Sequence, residues 1–210
     1  MNDTGGRGSA ELWLDAAYQA LIEGGVDAVK ILPLAAGLGI ARTSFYWFFK
    51  DREALLGALA DRWAAKNTGS LLAATEAYAD SEAEAMLNVI GCFLDPGAFD
   101  ARFEFAVRSW ALQSSEMTER IAAADRDRIA ALAAMLERWG HAPLHADVRA
   151  RTIYLVQIGY ISMQSQESLA ERMGRVPTYV EIYTGQKPQP RELARIHARF
   201  GYVPEGNKVA

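Results

Sequence analysis

The chain has 210 residues, half of them hydrophobic and 23% charged, a globular composition that excludes an intrinsically disordered chain. A net charge of −4 argues against binding nucleic acid with the whole surface. It leaves room for a local basic edge, because attraction to phosphate acts over about 8–10 Å.

In chain order, the polar, glycine-rich start from Met1 to Gly8 lacks the basic and apolar stretches of a secretory signal, so no leader is expected. Ser9 to Glu23 has helical period, with Trp13, Leu14, Ala17, Ala20 and Leu21 on one face and Gly24-Gly25 as its stop. Val29 to Gly37 reads as a short second helix that tolerates Pro33 only in its first turn. Ala41 to Phe49 is expected as a third, and Asp51 caps a fourth whose stripe is Leu55, Leu56, Leu59 and Trp63. Composition changes around Asn67 to Asp80, which sets the expected domains at 9–63 and 64–210.

Ser81 to Leu94 is a further helix, stopped by Asp95-Pro96-Gly97. Phe99 to Leu112 and Ser115 to Trp139 follow, the second closed by Gly140. Leu144 to Met173 is expected to be the longest helix, ended by Gly174 and Pro177, and Arg191 to Phe200 the last. With no strand alternation and no repeat, the predicted fold is all-α.

The informative stretch runs from Leu34 to Lys50. Two short helices meeting steeply need a small residue at the contact and a glycine at the reversal; Ala35 and Gly39 stand there. Leu34, Leu38, Ile40, Phe45 and Phe49 supply an apolar wedge, leaving Arg42, Thr43, Ser44, Tyr46 and Trp47 on an outer edge that fits a major groove.

Residues 13–63 resemble the DNA-binding domain of the TetR family of transcriptional regulators. The opening Trp13-Leu14-Asp15-Ala16-Ala17 is similar to the family's, and the run from Thr43 through Phe49-Lys50-Asp51-Arg52 to Leu55-Leu56 is the most specific part. Four positions depart from the pattern: Pro33, Ala41 in place of a capping Ser or Thr, Phe48 in place of a His, and Arg52 in place of a Lys. The resemblance implies an N-terminal three-helix domain with a helix-turn-helix, then a larger helical body for ligand binding and dimerisation. It further implies a ligand-responsive regulator, a repressor, that binds a palindromic double-stranded operator as a homodimer and is released by a small-molecule effector.

Carried over residue by residue, Arg42 is a base-edge contact, since a guanidinium can bridge guanine O6 and N7. Thr43 and Ser44 reach a base edge, a thymine methyl or a phosphate. Tyr46 and Arg52 resemble the family's phosphate contacts, Trp47 packs on the sugar-phosphate backbone, and Lys50 adds charge beside them. Lys30, at the start of the second helix, meets phosphate too. Arg7 is a candidate minor-groove arm, against the plainer reading of an unstructured tail. Each of these cations has an ordinary reading as solvated surface charge, Arg52 also as one half of an ion pair.

For the body, candidate pocket residues are Met86, Phe93, Phe103 and Trp110, with Gln157, Tyr160 and Gln164 to orient a ligand; core packing is the plain alternative for the apolar ones. A helix apolar on two faces must be covered on both, so Leu155, Ile158, Gly159 and Ser162 are candidates for the dimer interface.

No catalytic set, metal-ligand spacing or cofactor loop stands out, and an enzyme is not expected. His141 and His145 lie four apart without the acidic residue a metalloprotease places between them. Gly37-Leu38-Gly39 follows no strand and lacks the third glycine of a dinucleotide loop. The single cysteine, Cys92, suits a reducing cytoplasm, and no apolar run is long enough for a membrane span. Two other readings stay open: an all-helical ligand-binding or adaptor protein that has lost DNA binding, which the acidic charge and Ala41 favour, and a small helical enzyme working through His141 or His145.

Overall fold

The computed structural model describes residues 8–204; Arg7 lies outside the described residues. Every element among them is helical: α1 (Ala10–Gly24), α2 (Ile31–Leu38), a 3-10 helix (Arg42–Trp47), α3 (Arg52–Trp63), α4 (Gly69–Glu76), α5 (Glu82–Leu94), α6 (Ala101–Ala111), α7 (Ser115–Arg138), α8 (Pro143–Ser162), α9 (Leu169–Thr184) and α10 (Pro190–Arg199). A single π-helical segment, Ala64–Thr68, joins α3 to α4. No helix among the described residues is long and apolar enough to cross a membrane.

The residues through Lys66 and the stretch Ala101–Ala123 form one compact unit, here the head; Asn67–Asp100 and the chain from Ala124 onward form a second, the body. The sequence division at residues 63 and 64 follows the chain, whereas this one is spatial. α6 and the start of α7 belong with α1 and α3 because their buried side chains meet there. Phe103 packs edge-on against Tyr18, with ring centroids 5.0 Å apart. The Trp63 indole N–H donates to Glu104 at 2.7 Å, and Arg108 pairs with the same buried carboxylate at 2.9 Å. A buried charge is tolerable only with such partners.

Helix starts follow capping chemistry. Ser9 accepts from the Leu12 N–H at 3.1 Å, Asp51 from the Ala54 N–H at 2.8 Å, and Ser81 from the Glu84 N–H at 3.1 Å. Pro33 falls in the first turn of α2, as the sequence requires.

Two expectations are corrected. The segment 41–49 forms a six-residue 3-10 helix rather than an α-helix. The expected helix from Leu144 to Met173 is two, broken between Ser162 and Leu169. Ser168 and Glu171 make a reciprocal capping box that begins α9: the Ser168 N–H donates to the Glu171 carboxylate at 2.7 Å, which holds that carboxyl below its usual range. Pro177 then lies inside α9, where the helix forgoes one backbone hydrogen bond instead of ending.

Candidate nucleic-acid interface

α2 ends at Gly39, whose φ of +66° is a left-handed value that disfavours a side chain; its N–H closes on the carbonyls of Ala35 and Ala36. The chain reverses there and enters the 3-10 helix. Leu34, Ala35, Phe45 and Phe49 are buried. Phe45, fully buried, sits edge-on against Trp13 at 5.1 Å and stacks with Phe49 at 5.6 Å. The wedge is therefore local in sequence apart from its anchor on α1.

The outer edge carries Arg42, Thr43, Tyr46, Trp47 and Lys50, all exposed; Trp47 shows 63% of its surface and Tyr46 47%. Phe48 is also turned outward. The Arg42 guanidinium donates to the Tyr46 hydroxyl at 3.1 Å and lies 5.9 Å from that ring's centre, so the two side chains form one projecting group. Lys30 is exposed beside the first turn of α2. Neither Lys30 nor Lys50 makes an ion pair among the described residues.

Two of the sequence candidates have other roles. Ser44 is buried and donates its hydroxyl to the Ala41 carbonyl at 2.7 Å, so it fastens the turn and does not reach the edge. It supplies a local bond where Ala41 offers no side-chain cap. Arg52 is an internal tie: Nε donates to the Val29 carbonyl at 2.7 Å, Nη2 to the Val26 carbonyl at 2.8 Å, and Nη1 pairs with Glu53 at 3.1 Å. Those carbonyls follow α1, and the sequence could not show that they turn towards α3.

The sequence profile described as "Bacterial regulatory proteins, tetR family" matches residues 14–59, the stretch that builds this wedge and edge. Residues 14–59 form a TetR-family domain. The tetracycline repressor protein class A from transposon 1721 of Escherichia coli is 42% identical over 52 residues, which make up 25% of this chain and 24% of that protein. The class D tetracycline repressor of Escherichia coli is 45% identical over 47 residues, 22% of each chain. This chain therefore spans about a quarter of the length of those relatives. The whole chain is similar in fold to Mycobacterium smegmatis AmtR, with a TM-score of 0.62 and 16% identity over 97% of this chain and 100% of that one. It is also similar to a putative TetR-family transcriptional regulator from Mesorhizobium loti, with a TM-score of 0.56 and 15% identity over 90% of this chain and 95% of that one.

The body holds a partly open cleft of about 50 Å³ between α5, α8 and α9. Of the sequence candidates for a pocket, Phe93, Gln157 and Tyr160 line it. Met86 is fully buried core, and Gln164 is exposed at the end of α8 with a φ of 49°. Phe103 and Trp110 belong to the head. Sequence reasoning missed Ile90, Leu94, Ile153 and Val156 of this cleft, and the whole of its α9 wall: Arg172, Val176, Tyr179 and Tyr183. Their spacing is that of one helix face, and the Ser168-to-Glu171 box was the signal that could have revealed it.

Inside the cleft, the Tyr160 and Tyr179 hydroxyls are 2.9 Å apart, and Tyr183 stacks on Tyr179 at 5.5 Å. The bond from Tyr160 raises the Tyr179 hydroxyl above its ordinary pKa, and burial raises that of Tyr183. Along α8, Leu144, Val148 and Leu155 are exposed, Ser162 is exposed, and Ile158 and Gly159 are partly so.

Proposed function

We propose that this chain is a ligand-responsive transcriptional repressor of the cytoplasm, acting by binding and not by turnover. Its TetR-family head docks on double-stranded DNA, and a homodimer places two heads on a palindromic operator. The observation that carries this reading is the projecting edge of Arg42, Thr43, Tyr46, Trp47 and Lys50 over a wedge in which Leu34, Ala35, Phe45 and Phe49 are buried. A fold alone would not call for two large aromatic rings in solvent beside unpaired cations.

Arg42 then reads a base edge, bidentate to guanine O6 and N7, with Thr43 beside it. The Tyr46 hydroxyl, Lys50 and Lys30 hold phosphate, and Trp47 packs on the sugar-phosphate backbone. The exposed apolar face of α8, Leu144, Val148 and Leu155 with Gly159 and Ser162 at its end, is covered by the same face of a second copy in an isologous contact. Two recognition segments must then stand about 34–36 Å apart, or at a multiple of that spacing. An effector bound in the body favours a state that does not satisfy both half-sites, and the DNA is released.

The test is an anisotropy titration with the DNA flanking the chain's own gene, run at two salt concentrations and with Arg42→Ala and Lys50→Ala. Binding that falls steeply with salt and is weaker in both variants is expected. The absence of any salt-dependent binding by the full chain would refute the reading. Sedimentation of the same sample should give a dimer, converted to monomer by Leu155→Glu.

A further inference from the structure

Arg172 is a half-buried guanidinium on the wall of the α5–α8–α9 cleft, and among the described residues it makes no ion pair or hydrogen bond. Its contact is with the face of Tyr160, 5.6 Å from the ring centre. Burial lowers its pKa; Tyr160, Glu167 and Tyr179 oppose that fall without cancelling it. The guanidinium stays charged, so the cleft wall carries a cation that has lost part of its water and makes no ion pair. The neighbouring acid, Glu167, pairs through Oε1 with Arg175, whose guanidinium also reaches the Tyr160 hydroxyl at 3.5 Å, while its Oε2 is buried without a hydrogen bond. Glu167 therefore steadies the Arg172 charge through space but makes no ion pair with it.

Gln157 provides an independent sign. It is 7% exposed and lines the same cleft, yet its amide makes no hydrogen bond among the described residues. The amide is not sealed from solvent, so its donors and acceptor are free to meet a polar group that enters the cleft. The rest of the wall is apolar: Ile90, Phe93, Leu94, Ile153, Val156 and Val176.

We infer that this cleft binds a compact monocarboxylic acid with an aromatic or branched apolar body, its carboxylate on Arg172 and the Gln157 amide, its body against Phe93, Leu94 and Val176. A carboxylate matches the guanidinium fork with two parallel hydrogen bonds, and a planar apolar group suits the narrow space beside the tyrosines. This rests on the effector reading above and gives that effector a chemical class.

The experiment uses the full chain and three probes, benzoate, phenylacetate and 4-methylpentanoate, each beside its primary amide, measured by calorimetry and thermal shift. At least one acid should bind at least tenfold more tightly than its amide. Arg172→Gln should erase that preference while far-UV circular dichroism stays helical, and Arg172→Lys should restore part of it. Binding by none of the three acids, equal binding of acid and amide, or an acid preference that survives Arg172→Gln would each overturn the inference. A parallel titration of the DNA complex separates it from the function it rests on. Acid binding that depends on Arg172 but releases no DNA keeps the ligand class and refutes the effector role. Release by an uncharged compound, unchanged in Arg172→Gln, keeps the effector role and overturns the ligand class.

Discussion

Arg42 in the head and Arg172 in the body both lie against a tyrosine face, at 5.9 and 5.6 Å, but in different surroundings. Arg42 stands in solvent and donates to the Tyr46 hydroxyl; Arg172 is half-buried and donates to nothing among the described residues. A cation over a ring is worth about 0.5–1 kcal/mol when exposed and about 2 when desolvated. The head edge therefore keeps its charge hydrated and ready to exchange water for a polyanion. The cleft has a charge already partly desolvated, which suits a small anion held by geometry. A third guanidinium, Arg52, matches neither, because backbone carbonyls take its donors. Residue type alone does not separate these three; the partners do.

The largest expected effect tests whether the head edge depends on its wedge. Phe45→Ala removes a fully buried ring that touches Trp13 and Phe49 and should cost about 3–5 kcal/mol. Thermal unfolding should show the head melting early, with DNA binding lost at every salt concentration, whereas a cleft ligand should still bind the body.

Arg52→Ala separates an internal tie from a phosphate grip. It strips donors from the Val26 and Val29 carbonyls and should destabilise by about 1–3 kcal/mol in chemical denaturation. A variant of wild-type stability whose salt dependence of DNA binding has fallen by one unit would return Arg52 to the phosphate set.

Arg42→Ala should leave the melting temperature unchanged and reduce the preference for operator over random DNA roughly five- to hundredfold, about 1–3 kcal/mol. Competition titration measures this, and a uniform loss on all sequences would make Arg42 a phosphate contact instead. Lys50→Ala should do what Arg42→Ala does not: weaken binding on every sequence and lower the salt slope by about one. Smallest of all, Ser44→Ala should lower stability by about 1 kcal/mol through the lost bond to Ala41 and leave base preference intact. A change in preference would put Ser44 back on the edge.

Much of the head was legible because its determinants lie close together in the chain. Ala35, Gly39 and the spacing of Leu34, Phe45 and Phe49 specify a reversal and a wedge within one short stretch, and the rings not needed to fill it must face out. Ser44 was misplaced because an α-helical pitch was assumed where the chain winds as a 3-10 helix, which shifts the faces by the third residue. Arg52 was misplaced because its acceptors lie on a preceding turn that is adjacent only after folding. In the body, the run from Leu144 through Met173 is helical by composition on both sides of the break. Only the capping box at Ser168 and Glu171 announces a new start. Missing it hid the α9 face of Arg172, Val176, Tyr179 and Tyr183.

The sequence by itself determined that the chain is helical throughout and that residues 34–50 turn back on themselves with aromatic and basic groups on the outside. Periodicity, caps and a glycine at a left-handed turn act over three to five residues and can be read locally. Tertiary structure alone decided which arginine is exposed, which is tied down and which is half-buried without an ion pair. It also decided that α6 and the start of α7 belong with the head, since Tyr18, Trp63, Phe103 and Glu104 meet only in three dimensions. Hydrogen-bond satisfaction and desolvation are properties of neighbours, and for these side chains the neighbours are remote in sequence.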